Sequence, residues 1–382
     1  MLNKGKFVSA DTLFKVRSLY LVLLLQFTLI IFSFLVTRPI FAIKTNQAIY
    51  QDPFDKAAGG ADLTRASQDA VAFANPALLP WGGKGFRWWG GQAIGHYTPS
   101  SVAAAQSLLS GGESEDASGA GSILDTLFTT PVRVGATSVG SLVTNNFIGT
   151  GLNIQKIDLE ARKYGSVTGG PAIQLVGESY SGIAVGVASR VGSFMSIGIT
   201  PKYIIKTEPI VDLSLTDTAA IENLDANTIA NEQTPAGGGG ADLGWLLFLQ
   251  GYFMDFRLAL KVDDIGNTKF AGEQVAWKQT TNLGLGITLH GDINAIHLSL
   301  DYRDIGNSYN DKIFKKIYGG VKVLIFNYLG VAIGLHHGIP SYGIRADLWL
   351  FSIGATQYSE EMTNVIGEKR RDIQEIYFAM GI

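Results

Sequence analysis

Apolar and polar residues alternate with period two along Thr281–His290 and again along Ala295–Arg303. Leu283, Leu285, Ile287 and Leu289 share one face of the first run, with Asn282, Gly284, Gly286, Thr288 and His290 on the other. In the second run Ile296, Leu298, Leu300 and Tyr302 alternate with His297, Ser299, Asp301 and Arg303. Successive side chains of a strand point to opposite faces, so both runs predict strands with one apolar and one polar face. The link Gly291–Asn294 is short and rich in turn residues, which predicts a hairpin.

The pattern recurs. Strands are predicted near Phe147–Arg162, around Ile183, Val185 and Val187, and where Ile197, Ile199, Tyr203 and Ile205 share a face. More follow at Asp242–Phe248, Leu258–Val262, Gly320–Asn327, Tyr328–His337, Tyr342–Tyr358 and Ile373–Ile382. Lys84–Tyr97 is the predicted first strand, and its Trp88-Trp89 pair suits a membrane interface. Pro99–Thr130 and Thr207–Pro235 break the rhythm and predict long loops, with helical stretches at Ser101–Leu109 and Thr218–Ala230. Asp311–Ile317 predicts a short loop helix.

At the N-terminus, Lys4, Lys6, Lys15 and Arg17 precede the nearly uncharged apolar run Tyr20–Val36 and then Thr37–Ala42. A basic region, an apolar core and a small residue at the cut describe a secretory signal peptide, residues 1–42. The same run is just long enough to span a bilayer as a retained anchor, which is the alternative. Ile43–Pro80 has no alternation, is dominated by small residues, and predicts a segment packed inside something else. Residues 81–382 carry the strands, with no linker to mark a second domain.

Whether the polar face meets water or a lumen decides the fold class. Roughly 12 to 14 segments of about 10 residues match the length of membrane-spanning strands. Charged residues are only 16% of the chain, and the polar face mixes glycine with charges of both signs. Lys202, Lys206, Arg257, Lys261, Asp301, Arg303, Arg345 and Asp347 are the charges expected to face a lumen. Glycine, 46 of 382 residues, suits tight hairpins and close strand packing. In a bilayer only helices and closed barrels satisfy every backbone group. The expectation is therefore an all-β chain, a transmembrane antiparallel β-barrel with an N-terminal luminal plug segment, residues 43–80.

Ser67–Leu79 (SQDAVAFANPALL) resembles the segment before the first strand of FadL-type outer-membrane barrels. Asp69, Ala70, Asn75, Pro76 and Ala77 match a D-A-x-x-x-x-N-P-A pattern. Gly240–Gly244, Val262–Phe270 (VDDIGNTKF), Leu300–Ile305 (LDYRDI), Tyr358–Glu361 and Arg370–Asp372 are similar to the PorV-like and TraF-annotated branch. The likeness spans nearly the whole chain after residue 42 through loose motifs. It implies a plugged barrel of about 14 strands in the outer membrane of a Gram-negative-type bacterium. It also implies uptake of small hydrophobic, fatty-acid-like molecules in FadL-type members, and a role in protein secretion in PorV-like ones. On that footing Asp69, Asn75 and Pro76 are candidate gating residues of the plug, with a purely structural turn as the alternative for Asn75-Pro76. Outer-membrane strands usually end in an aromatic residue; this chain ends in Ile382, with Phe378 the nearest candidate.

Other chemistry finds little support. Gly177–Ser181 (GESYS) misses the last glycine of a nucleophile elbow and is expected between strands. His336-His337 are adjacent, so on a strand they would point to opposite faces and could not share a metal. Gly237–Gly240 lacks the lysine of a phosphate loop. The chain has no cysteine and a net charge of −3, which leaves no thiolate site and no nucleic-acid footprint. The expected partners are outer-membrane lipid, a small hydrophobic ligand and, for the docking alternative, an envelope protein reached through the long loops. No enzyme activity and no cofactor are expected.

Overall fold

A computed structural model describes residues 49–67, 70–82, 86–101, 132–162, 172–207, 210–214, 235–272, 276–291, 294–326, 328–361 and 370–381. Fourteen antiparallel strands close into one barrel. In chain order they are β1 Arg87–Tyr97, β2 Val132–Val143, β3 Phe147–Arg162, β4 Ala172–Val191, β5 Met195–Thr207, β6 Ala236–Leu249 and β7 Met254–Asp263. The ring continues with β8 Thr280–His290, β9 Asn294–Tyr302, β10 Ile317–Ile325, β11 Leu329–His336, β12 Ile339–Leu348, β13 Phe351–Glu361 and β14 Arg370–Gly381. Each strand pairs with its sequence neighbours, and β14 pairs with β1 to shut the ring. Closure removes both sheet edges, as a bilayer demands.

The burial pattern is that of a soluble protein turned inside out. On β5, Ser196, Gly198, Thr200, Lys202, Ile204 and Lys206 are buried, while Ile197, Ile199, Tyr203 and Ile205 are exposed. On β11 and β12, Val331, Ile333, Leu335, Tyr342 and Ile344 likewise face outward. A wall that shows branched apolar side chains to its surroundings and keeps lysines inside is suited to lipid.

The two ends of the barrel differ. One end has the tight connections 144–146, 192–194, 250–253, 291–293, 326–328 and 349–350. The other has the long ones 98–131, 208–235, 264–279 and 303–316, with one tight turn, His337-Gly338, among them. Exposed aromatics gather at the tight end: Phe86, Trp88, Phe147, Phe194, Tyr252, Phe253, Phe326, Tyr328, Trp349, Phe351 and Phe378. Such a girdle marks a membrane–water interface, and short turns belong to the periplasmic side of outer-membrane barrels.

The structure departs from the sequence reading at several places. Val132–Val143 is a full strand ahead of Phe147–Arg162, where the sequence reading resumes the strands; its apolar Val139 faces inward and most of its outward positions are small. Gly177–Ser181 lies within β4, not between strands; hydrogen bonding to β3 and β5 overrides its turn-like composition. The loop after Thr207 begins with a short strand, Ile210–Ser214, in register with β4. The predicted loop helix is a single 3₁₀ turn, Ile313–Lys316. The helical stretches expected at Ser101–Leu109 and Thr218–Ala230 lie outside the described residues, apart from Ser101. His336 and His337 do not diverge. His337 adopts φ +52, ending the strand's alternation, and the two rings stack with centroids 4.5 Å apart.

Candidate functional site

The described residues of the N-terminal segment, Ile49–Trp81, lie against the inward face of the strands. Local chemistry shapes them. Asp52 caps helix α1, Pro53–Ala57, by accepting from Phe54 N at 2.9 Å and Asp55 N at 3.3 Å, with Pro53 in the first turn. Gly59 and Gly60 then take φ near +78 and +72, where a side chain is strained. A Cβ at Gly59 would also overlap the backbone of Gly319 and Leu335. Helix α2, Val71–Ala74, runs into Asn75, whose Oδ1 accepts from Ala77 N at 3.0 Å and caps the 3₁₀ turn Pro76–Trp81.

Small residues on both sides allow this approach. Gly198 and Gly244 leave room for Asn75–Ala77, Gly320 and Gly334 for Ala58–Gly59, and Gly330 for the Phe54 ring. Asn75 is fully buried and also donates from Nδ2 to Leu63 O at 2.9 Å. It therefore ties two parts of the segment together while capping a third.

Charges hold the segment to the wall. Arg303 Nη2 donates to Asp62 Oδ1 and to Gly60 O, each at 2.6 Å, and lies 3.5 Å from Asp301 Oδ2. Asp301 accepts from Leu63 N at 3.1 Å. Lys261 Nζ donates to Phe73 O and pairs with Asp263, with Asp242 at 3.7 Å. Arg257 donates to Thr64 O at 3.0 Å, and Arg345, paired with Asp347 at 2.9 Å, lies over the Phe54 ring. Lys202 pairs with Asp242 at 2.7 Å and Asp264 at 2.9 Å, and Lys206 lies over Phe270. Asp69 lies outside the described residues.

Sequence reasoning missed several partners of the same kind. Lys322 pairs with Asp55, and Lys56 with Glu375 at 2.7 Å. Within the wall itself, Arg133 and Arg371 both hold Glu360, at 3.0 and 2.7 Å. The available signal was complementarity: Asp52, Asp55 and Asp62 in a segment without strand character, facing a barrel whose polar face carries surplus cations.

Two cavities flank Ile49 in the half of the barrel nearer the long connections. One, about 620 Å³ and partly open to solvent, is lined by Lys202, Asp242, Lys261, Asp263 and Lys278 with Trp277. The other, about 540 Å³ and likewise partly open to solvent, is lined by His96, Lys156, Tyr318, His336, Tyr358 and Glu375. Among the described residues no group of three or more His, Cys, Asp or Glu is arranged to hold a metal ion.

No protein-family model matches the chain, and no curated protein is similar to it. Solved structures are. A deletion mutant of the monoaromatic hydrocarbon channel TodX matches with a TM-score of 0.50 at 10% identity, over 88% of this chain and 99% of that one. The toluene transporter TbuX of Ralstonia pickettii gives 0.49 at 11% identity, over 88% and 98%. A porin mutant of Rhodopseudomonas blastica gives 0.28 at 10% identity, over 78% and 99%. The first of these likenesses shows the fold alone: a closed antiparallel β-barrel with the same architecture as that channel.

Proposed function

We propose that this barrel passes small hydrophobic molecules across the outer membrane without energy input, and that residues 43–80, freed by a cut after Ala42, act as its plug. The shared fold with a monoaromatic hydrocarbon channel supports this reading. So does the resemblance of the D-A-x-x-x-x-N-P-A segment to FadL-type barrels; membership of their PorV-like branch is the finer part of this proposal and rests on the loose motifs such as Gly240–Gly244 and Leu300–Ile305. A buried segment fastened by ion pairs leaves no wide aqueous path along the axis, so a cargo that prefers lipid is favoured over an ion or a sugar.

The observation that carries the reading is a gap in the wall. The β4–β5 ladder runs without a break from Ser179–Thr207 to Ala184–Lys202 and resumes at Val187–Ile199. Between them stand Thr200 and Pro201, facing Val185 and Gly186. Proline has no N–H to give to a ladder. Thr200 Oγ1 is buried there without a hydrogen-bond partner, and Gly186 adds no side chain. A weak seam at mid-height of an apolar wall is a route from lumen to bilayer for a hydrophobic molecule. Leu79, whose Cδ1 lies against Gly186, is the part of the plug at that route, and Pro76 packs against Gly198 on the same strand, next to Asn75.

Pro201→Val restores the missing donor on a lipid-facing position. Uptake of toluene into vesicles carrying the folded barrel should then fall several-fold. Unchanged uptake would refute passage through this seam, and absent uptake in the parent protein would refute transport itself.

A second reading, a barrel that docks envelope proteins, draws support from Ile313 and Phe314, exposed by 63% and 71% in the connection between β9 and β10. Deleting 102–131 and 215–234 separates the two. A transporter keeps much of its flux, whereas a docking barrel loses its partners.

A further inference from the structure

One wall of the 540 Å³ cavity is a single row of the β-sheet register. Lys156 on β3 stands opposite Gly135 on β2, Gly135 opposite His96 on β1, and His96 opposite Glu375 on β14. Gly135 makes the row continuous: a Cβ there would overlap the His96 ring, which lies across it.

Three members of the row are chemically incomplete among the described residues. His96 is 4% exposed, and its buried Nε2 has no partner. Glu375, 2% exposed, spends Oε1 on Lys56 at 2.7 Å and on the Tyr358 hydroxyl at 3.0 Å, while its buried Oε2 has none. Among the cations lining the cavity, Lys56 and Arg303 have ion pairs. Lys156 makes no hydrogen bond and no ion pair within 4 Å among the described residues; Glu178, opposite it on β4, and Glu360, itself held by Arg133 and Arg371, are the acids whose charge it feels. Buried polar groups in folded proteins are nearly always satisfied, so two orphan atoms on neighbouring strands, in one row with an ammonium that makes no hydrogen bond, point to a polar partner in the cavity.

The rest of the wall says what kind. Tyr318, His336 and Tyr358 line it as a ring cluster, with His336 edge-on to both tyrosines at centroid distances of 5.5 and 5.0 Å. Ring faces and edges favour a flat aromatic body. An ammonium asks for an anion, and a carboxylate oxygen with a vacant lone pair asks for a donor. Strands spaced by roughly 4.8 Å put the Lys156 and Glu375 Cα atoms roughly 14 Å apart. Two long side chains leaning inward from that distance leave space for about one ring.

We propose that this cavity binds a small aromatic carboxylate carrying a ring hydroxyl. The carboxylate sits on Lys156, the hydroxyl donates to Glu375 Oε2, and His96 supplies a polar contact between them. The site is separate from the β4–β5 seam and stands or falls independently of transport.

The test uses the full, folded barrel in detergent micelles, titrated by calorimetry with 4-hydroxybenzoate and, in parallel, benzoate, laurate and toluene. Saturable binding of 4-hydroxybenzoate is expected, tighter than that of benzoate. Lys156→Met should weaken it at least tenfold, Lys156→Arg should keep it within a few-fold, and Lys278→Met in the other cavity should leave it unchanged. Retention of the fast-migrating unheated band on a gel confirms that each variant is folded. Three results would overturn the proposal: no saturable binding, tighter binding of laurate or toluene, or equal losses in Lys156→Met and Lys278→Met.

Discussion

Arg303→Leu is the sharpest probe of how the N-terminal segment is held. The guanidinium is 4% exposed and lies over the Tyr318 ring at 4.4 Å as well as binding Asp62, Gly60 and Asp301. Its loss strands two buried carboxylates. Breaking a buried pair from one side costs about 3–5 kcal/mol. Asp62 retains a hydrogen bond from Gln51 Nε2 at 2.9 Å and Asp301 one from Leu63 N at 3.1 Å, which places the cost near the lower end, about 3 kcal/mol. At about 1.4 kcal/mol per factor of ten, the local opening equilibrium of the segment should rise by about 150-fold. The native chain has no cysteine, so Ala72→Cys, at a position with 0% exposure in α2, would be the single thiol. Modification by a water-soluble thiol reagent should be slow in that background and about 150-fold faster once Arg303 is leucine. Adding Asp62→Asn and Asp301→Asn should recover part of the protection by removing the stranded charges. An unchanged labelling rate would refute the claim that this cluster fastens the segment, and no recovery would assign the effect to lost packing instead.

Gly334→Val should prevent the segment from seating, because a Cβ there overlaps the backbone of Ala58 and Gly59; single-channel recordings in planar bilayers should show a conductance that the parent lacks. Asp311, in the connection between β9 and β10, has its carboxyl pushed above the ordinary range by burial, with Lys315 at 3.0 Å opposing the shift. A raised folded-state value stabilises the protonated form, so this contribution is fully present below about pH 3.8 and is lost as pH rises through the folded value. Proteolysis of the 303–316 connection should therefore quicken with rising pH over that window, and Asp311→Asn should flatten the dependence.

Much of the barrel was legible because its outer wall repeats one rule. Lipid on one side and a polar interior on the other force period-two alternation, and β5, β8 and β9 display it residue by residue. Charges such as Lys202, Lys261 and Arg303 stand out on the polar face for the same reason. Alternation faded where the inner face packs against protein. Val139 on β2 is apolar and inward, buried in the same core as Tyr50 and Phe73 of the segment, so the run Val132–Val143 lacks a clean polar face. The candidate site was less legible still. Lys156, His96 and Glu375 lie on three strands far apart in sequence, and only the register sets them in one row.

Local sequence alone determined the fold class and, along the strands that alternate clearly, which face meets lipid, since each follows from the transfer free energy of side chains a few residues apart; the count of fourteen came from the closed ring. Tertiary structure decided which acid meets which base, where glycine admits the buried segment, and where the wall is weak. Those depend on the closure of fourteen strands around one segment. Pairings across the lumen join residues hundreds of positions apart, such as Lys322 with Asp55 and Arg303 with Asp62, and no local pattern encodes a contact whose partner is set by barrel closure.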